Sequence, residues 1–337
     1  MMNVPLIKCH GSSNDFIILD EKHLNTRIDD KKRALIAELL CNRTLSIGAD
    51  GILYISESAS AHAKMRVFNS DGSEASMCGN GLRCAARYIS ERDQLAKFDV
   101  ETMKAILTVE KVESIYEDIP TYAVEISPIL FNLDALPLNL PQEKLLNQTM
   151  QEWHPDLEFS ALAVPNPHLI TNVTSDVLNS PLQQNLAEQF NAKNDWFTDG
   201  VNVSFVVPLG RNEIFVRTFE RGVGFTNACG TAMSSSSLIR VLLGESEADI
   251  PIDVYNDGGR VKCVIHKNGD RFDHIDLIGN ATFTDYYELV GKDDDLSTLK
   301  VSLVKTTDEE SIYQRMAQAA KEHIISLEPN LLSPSQC

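Results

Sequence analysis

The sequence predicts an α+β protein of two pseudo-symmetric halves, on three observations. Many short β-rich runs are interspersed with a few helical patterns. Two stretches repeat a single Arg-x-Phe…Cys-Gly arrangement. A length of 337 residues, at roughly 150 per domain, suggests about two domains with room for a sizeable core.

The β-rich runs cover residues 17–19, 51–55, 64–68, 106–109, 122–126, 203–207 and 214–219, bounded largely by Gly, Asp and Asn. Residues 30–40 place Leu35, Ile36, Leu39 and Leu40 on one face at helical spacing. Residues 81–89 and 232–243 read as two further helices. Interspersed in this way, they point to antiparallel or mixed sheets.

Two regions look like additions. Residues 131–159 carry repeated Leu, Pro and Gln with no clear period, the pattern of a surface excursion. Residues 293–337 follow the last strand-like segment with an acidic stretch and a helix over 308–327, and the end around Pro329 and Pro334 is expected to fray. The expected organisation is an N-terminal half, 1–127, completed by a strand at about 274–292 that returns to the first. A C-terminal half follows over 128–273, and then an acidic extension over 293–337.

Acidic side chains number 48 against 30 basic ones, a net charge of −18. Nucleic acids and anionic membranes are polyanions, so neither is an expected partner. No basic leader with an apolar run opens the chain, none of its stretches reaches the roughly 18 apolar residues of a span, and Cys337 is misplaced for prenylation. Seven cysteines without regular spacing read as reduced thiols in a cytoplasmic protein. With no Cys-x-x-Cys pair and no His-x-x-x-His helix pattern, no metal is expected. A redox role for a Cys78–Cys229 disulfide would lack a redox motif. Gly79-Asn80-Gly81 and Gly222-Val223-Gly224 lack the third glycine of a dinucleotide loop, and there is no phosphate-loop signature.

The repeat carries the chemistry. Arg66-Val67-Phe68-Asn69 leads to Cys78-Gly79-Asn80, and Arg217-Thr218-Phe219-Glu220 leads to Cys229-Gly230-Thr231, each triplet opening a helical pattern. A cysteine at a helix N-terminus sees the positive end of the dipole and free N–H groups, which favour thiolate. The same amides bind a carboxylate. Two such helix starts around one carboxylate suit proton exchange at the neighbouring carbon, one thiolate removing the α-proton while the opposite thiol delivers another. Cys9, Cys41, Cys84, Cys263 and Cys337 read instead as bystanders.

At these residues the sequence resembles the diaminopimelate epimerases, the pyridoxal-independent two-cysteine family. The shared motifs are His10-Gly11-Ser12-Ser13-Asn14-Asp15-Phe16, Gly48-Ala49-Asp50-Gly51, the block FNSDGSEASMCGNGLR from Phe68 to Arg83, Asn166-Pro167-His168, Asn202-Val203, Glu220-Arg221-Gly222-Val223-Gly224 and Ala228-Cys229-Gly230-Thr231. The resemblance implies two α/β domains, each a mixed or antiparallel sheet or barrel around a central helix, with the active site in the cleft between them. It implies cofactor-independent epimerisation of LL-diaminopimelate to meso-diaminopimelate for lysine and peptidoglycan precursor synthesis, by a cytoplasmic homodimer. The alternative within the class is a racemase of another amino acid, such as histidine.

Residue by residue, the resemblance makes Cys78 and Cys229 the acid/base pair, with His168 and Glu220 tuning the thiols. Asn14, Asn69, Asn166, Asn202, Glu220 and Arg221 would contact substrate, and Gly79, Asn80, Gly230 and Thr231 would supply backbone amides. Independently, the planar fork of an arginine such as Arg221 suits a carboxylate. Singly, Asn14, Asn69 and Asn166 read as turn residues, His168 as a structural histidine and Glu220-Arg221 as an ion pair; their joint order favours the functional reading. The sequence departs from the family at Ser13 and Ala232, where Gly is usual, and at Phe225, where the family usually has Glu.

Overall fold

The computed structural model describes residues 2–269, 271–292 and 295–332. In chain order the first elements are β1 (Met2–Gly11), β2 (Asn14–Asp20), α1 (Asp30–Leu40), β3 (Gly51–Ser56), β4 (Ala63–Asn69), β5 (Glu74–Ala75), α2 (Gly79–Asp93), β6 (Lys97–Glu101), β7 (Ile106–Val112) and β8 (Thr121–Ile126). Then come β9 (Gln148–Thr149), β10 (Glu158–Ala163), β11 (Pro167–Asn172), α3 (Ser175–Leu178), α4 (Leu182–Asn191), β12 (Asn202–Gly210), β13 (Glu213–Glu220) and β14 (Gly224–Thr226). The last are α5 (Gly230–Leu242), β15 (Ile252–Asn256), β16 (Gly259–Asn268), β17 (Arg271–Asn280), β18 (Thr282–Lys292), β19 (Asp295–Thr306) and α6 (Glu309–Leu327). The chain divides into two units, Met1–Val124 with Gly279–Arg315, and Glu125–Ile278 with Met316–Cys337.

In the first unit β1 and β2 are antiparallel, β2 and β3 parallel, β3 and β4 antiparallel, and β4 turns back into the two-residue β5. Helix α2 follows, and the chain returns as β6, parallel to β4, then β7 antiparallel to β6. The second unit repeats every step. Strands β10 and β11 are antiparallel, β11 and β12 parallel, β12 and β13 antiparallel, and β13 turns back into β14. After α5, β15 runs parallel to β13 and β16 antiparallel to β15. A duplication visible in the sequence over one strand and one Cys-Gly block thus extends to seven strands and a helix.

Both helices sit inside their sheets. Helix α2 packs against β1, β2, β3, β4 and β7, and α5 against β10, β11, β12, β13, β15 and β16. A helix enclosed on every side needs slim side chains, and its buried polar groups need partners. Helix α5 meets the first need with Ser234, Ser235, Ser236 and Ser237, all buried; Ser234 and Ser237 return their hydroxyls to the carbonyls of Gly230 and Met233, four residues back. Helix α2 meets it with Gly81, whose Cβ would lie 2.8 Å from Leu53 Cδ2. Each unit has its own apolar core, Val4, Leu6, Ile17, Ile36, Ile52 and Leu289 in the first and Phe159, Leu169, Phe190, Phe205 and Phe215 in the second.

Several expectations change. Residues 131–159 do not form a surface excursion: Leu133, Leu136, Leu138, Leu145, Trp153 and Leu157 are buried in the second unit's core, with Trp153 edge-on to Phe159 and Phe190. The stretch expected as one strand at about 274–292 is two, β17 and β18. The region after 292 begins with a strand, since β19 pairs antiparallel with β18 before α6 starts. Asp293, Asp294, Pro334 and Cys337 lie outside the described residues. Among the described residues, no helix is long and apolar enough to cross a membrane.

Candidate active site

Each candidate cysteine is the residue immediately before an enclosed helix. Cys78 caps α2 in an extended conformation, φ −146° and ψ 110°, and the Gly81 N–H donates to its sulfur at 3.4 Å. Cys229 caps α5 with nearly the same backbone, φ −110° and ψ 109°, but makes no side-chain capping bond. The repeated β-hairpin turn before each helix, β4–β5 in one and β13–β14 in the other, delivers both cysteines to equivalent places.

Around Cys78 the first unit gathers two of the predicted asparagines, Asn14 and Asn80. The Asn14 amide oxygen lies 3.6 Å from the Cys78 sulfur and accepts from Asn80 Nδ2 at 3.3 Å. Asp50 holds Asn14 in turn, its carboxylate accepting from Asn14 Nδ2 at 2.7 Å and from the Asp15 N–H at 3.1 Å. Arg43 bridges Asp15 and Asp50. Burial alone would raise the Asp15 carboxyl, but Arg43 and Lys8 bring it down to about 2. Asn69, at the end of β4, binds the Ser73 hydroxyl at 2.9 Å within its own turn.

The turn that carries Asn14 is tightly set. Ser12 and Ser13 both have positive φ, 54° and 64°, the left-handed region in which glycine is the usual choice. That explains the family's glycine at position 13; here the Ser13 hydroxyl pairs with Tyr313 of α6 at 2.9 Å. Gly11 precedes the turn, and a Cβ there would lie 2.8 Å from the Asn80 carbonyl oxygen.

The second unit treats its cysteine differently. Cys229 is buried, and its sulfur lies 3.5 Å from the Thr231 hydroxyl, with the Glu220 charge close enough to act on it. Helix position alone predicts a lowered pKa for both thiols; for Cys229 the reverse holds. Burial and then the Glu220 charge push it well up, outweighing the Thr231 hydroxyl and the Ala232 N–H, so the sulfur is a protonated thiol at neutral pH. Burial also raises Glu220, against the stabilising bonds from Thr226, at 2.5 Å, and from Cys229.

The remaining predicted residues lie nearby on β11, β12 and the turn after β13. His168 on β11 faces Asn202 on β12, is fully buried, and is held by the Asn166 amide oxygen at 3.2 Å. Burial and the Arg221 charge push it down to about 3, so it is neutral, and its Nδ1 has no partner among the described residues. The Asn202 amide oxygen accepts the Arg221 N–H at 2.8 Å. The Arg221 guanidinium is paired with Asp199, from which a second carboxylate would have to draw it. Gly230 and Thr231 form the first turn of α5, as Gly79 and Asn80 do for α2. Phe225 is half-exposed at 49%, edge-on to Phe219. Sequence reasoning missed Asp50, Thr226 and Asp199; the Gly48-Ala49-Asp50-Gly51 motif was the one available signal.

The family model described as diaminopimelate epimerase matches residues 6–116 and 161–284. A diaminopimelate epimerase of Listeria monocytogenes is 50% identical over 333 residues, covering 97% of this chain and 100% of its own length. The chain belongs to the diaminopimelate epimerase family. A further member from Enterococcus faecalis is 43% identical, covering 95% of this chain and all of its own. The 97% coverage also means that most of the region after 292 is shared with the Listeria relative. Two solved structures share the fold. A phenazine biosynthesis protein of the PhzF family from Bacillus anthracis has a TM-score of 0.63 at 16% identity, covering 86% of this chain and 100% of its own. A hydroxyproline epimerase from Agrobacterium vitis has a TM-score of 0.58 at 11% identity, covering 88% and 93%.

Proposed function

We propose that the protein interconverts LL- and meso-diaminopimelate without a cofactor, using Cys78 and Cys229 as its two bases. In one direction a thiolate takes the α-proton, and the other cysteine, as a thiol, donates its own proton to the opposite face of the carbon. The stereocentre inverts, the two sulfurs exchange protonation states, and the reverse reaction restores them. The observation that carries this reading is the pair of cysteines capping equivalent helices in unlike surroundings. Cys78 is half-buried and receives an amide N–H, which favours the anion, whereas Cys229 is buried against Glu220 and keeps its proton. In this assignment Glu220 tunes Cys229 directly, and neutral His168 acts through Asn166 and the Arg221 turn.

The first turns of α2 and α5, with Gly79, Asn80, Gly230 and Thr231, are assigned to the α-carboxylate, whose charge rises as the carbanion forms. Asn14, Asn69, Asn166, Asn202 and Arg221 are assigned to the amine and the distal carboxylate, Arg221 leaving Asp199 for the substrate. The names of the relatives support diaminopimelate over histidine. A cytoplasmic homodimer belongs to the same proposal, and light scattering on the pure protein tests the dimer.

The reduced protein, given LL-diaminopimelate in D2O, is expected to form the meso isomer with deuterium at the inverted carbon, and to leave L-histidine unlabelled. Failure to exchange the α-hydrogen of diaminopimelate overturns the assignment. Cys78→Ala or Cys229→Ala with parental activity overturns the two-base scheme. Each is expected to lose at least about 100-fold, the low end of what a positioned acid or base contributes.

A further inference from the structure

We propose that the β16–β17 hairpin carries a site for a divalent cation of the zinc type, formed by His266, His274 and Asp276. It is separate from every residue assigned above to the reaction. His266 on β16 lies directly opposite His274 on β17, and Asp276, two residues further along β17, points to the same side. The two imidazoles stack with centroids 4.5 Å apart. The Asp276 carboxylate spans both, 2.8 Å from His266 Nε2 and 3.8 Å from His274 Nε2. The three ligand atoms lie within 4.8 Å of one another, and all three side chains are about 30% exposed, so an ion can enter from solvent.

The outer faces of the rings strengthen the case. His266 Nδ1 lies 3.2 Å from the Asp249 carboxylate, and His274 Nδ1 lies 2.9 Å from the Asp273 carboxylate. Every ring nitrogen of the pair therefore faces a carboxylate oxygen, while a neutral imidazole has one N–H to give. With the Nδ1–H groups turned to Asp249 and Asp273, the two Nε2 lone pairs and the Asp276 carboxylate are free to converge on a cation, which satisfies all three at once. Without an ion, a His266 Nε2–H donating to Asp276 satisfies one ring of the pair.

A carboxylate on the far nitrogen of each histidine is the support that metal-ligating histidines characteristically have, fixing the tautomer and raising the basicity of the ligand nitrogen. Two imidazoles and one carboxylate suit a borderline cation, and they leave a fourth position for water. Metal–ligand lengths of about 2.0–2.2 Å ask for ligand atoms roughly 3–3.5 Å apart, so the widest pair must close by up to about 1.3–1.8 Å. The sequence conceals this site because its ligands come from facing strands of a hairpin, joined by pairing rather than by a short spacing.

Isothermal titration of the metal-free, reduced full-length protein with ZnCl2 tests the proposal, after Cys78 and Cys229 have been blocked with iodoacetamide to remove competing thiols. One equivalent is expected to bind, with thermal melting raised by the same equivalent. His266→Gln and His274→Gln should each weaken binding at least tenfold. Asp273→Asn, which keeps all three ligands, should weaken it roughly 10–100-fold through the tautomer. Failure of the blocked parent to bind Zn2+, or binding that survives both histidine substitutions unchanged, overturns the site. If a glutamine variant does not fold, the Asp273→Asn titration decides alone, and undiminished affinity there overturns the proposal.

Discussion

His168 should make the second unit acid-sensitive by an amount the structure sets. It is fully buried, and its pKa is pushed down to about 3 by burial and by the Arg221 charge; in the unfolded chain a histidine titrates near 6.5. Between those values the unfolded state binds a proton that the folded state does not. Stability is therefore complete above about pH 6.5 and falls as the pH falls toward 3. Integrated from pH 7 to pH 5, the loss is about 2 kcal/mol. That figure hardly depends on the folded value, because pH 5 lies well above it. The substitution that isolates the effect is His168→Gln, which keeps an N–H for the Asn166 oxygen but cannot titrate. Both tryptophans, Trp153 and Trp196, pack in the second unit with His168, so urea unfolding followed by tryptophan fluorescence reads the relevant transition. Between pH 7 and pH 5 the parent should lose about 2 kcal/mol more than the variant. Equal losses would refute the buried neutral histidine.

Further outcomes follow from the same structure. In the absence of substrate, iodoacetamide with peptide mapping should find Cys78 labelled at least about tenfold faster than Cys229, since the thiolate is the reactive form; faster labelling of Cys229 contradicts its burial against Glu220. Glu309→Gln removes one of the two carboxylates on Arg87, which is held through two nitrogens by Glu309, pairs also with Glu91 and lies 3.9 Å over the Phe283 ring. Weakening those charge-assisted bonds costs about 1.5–3 kcal/mol, and calorimetry should show a lowered first-unit transition, an unchanged one arguing against the docking of α6 on α2. Gly11→Ala would press its methyl on the Asn80 carbonyl; a cost of about 1–3 kcal/mol and slower turnover are expected, and a variant normal in melting temperature and rate would deny the close approach.

What the sequence made legible was local. The helix at 30–40 and the starts of the Cys78 and Cys229 helices follow from spacing and capping within a few residues, and the structure has them at Asp30–Leu40, Gly79–Asp93 and Gly230–Leu242. What it concealed depends on distant partners. Residues 131–159 show no period because they contribute single apolar anchors from irregular chain, and β19 is polar on one face with β18 as its partner. In the site, the cysteines were evident from two long blocks. Asp50 was not evident as the support of Asn14, because 36 residues separate them.

The protonation states were also hidden, and they turn on a comparison that the duplication makes possible. The two units repeat strand for strand, so both thiols sit at the positive end of an enclosed helix, and the amides separate them only in that the Gly81 N–H caps Cys78 while Cys229 makes no such bond. A further distinction comes from side chains that differ between equivalent positions. At the end of the strand before each cysteine, the first unit has Asn69 and the second has Glu220. An amide carries no charge, whereas a carboxylate close to a sulfur penalises a second negative charge there. A two-base exchange requires one sulfur ready to accept and one ready to give. In the proposed two-base scheme, the Asn69–Glu220 difference is what gives a symmetric fold that asymmetry.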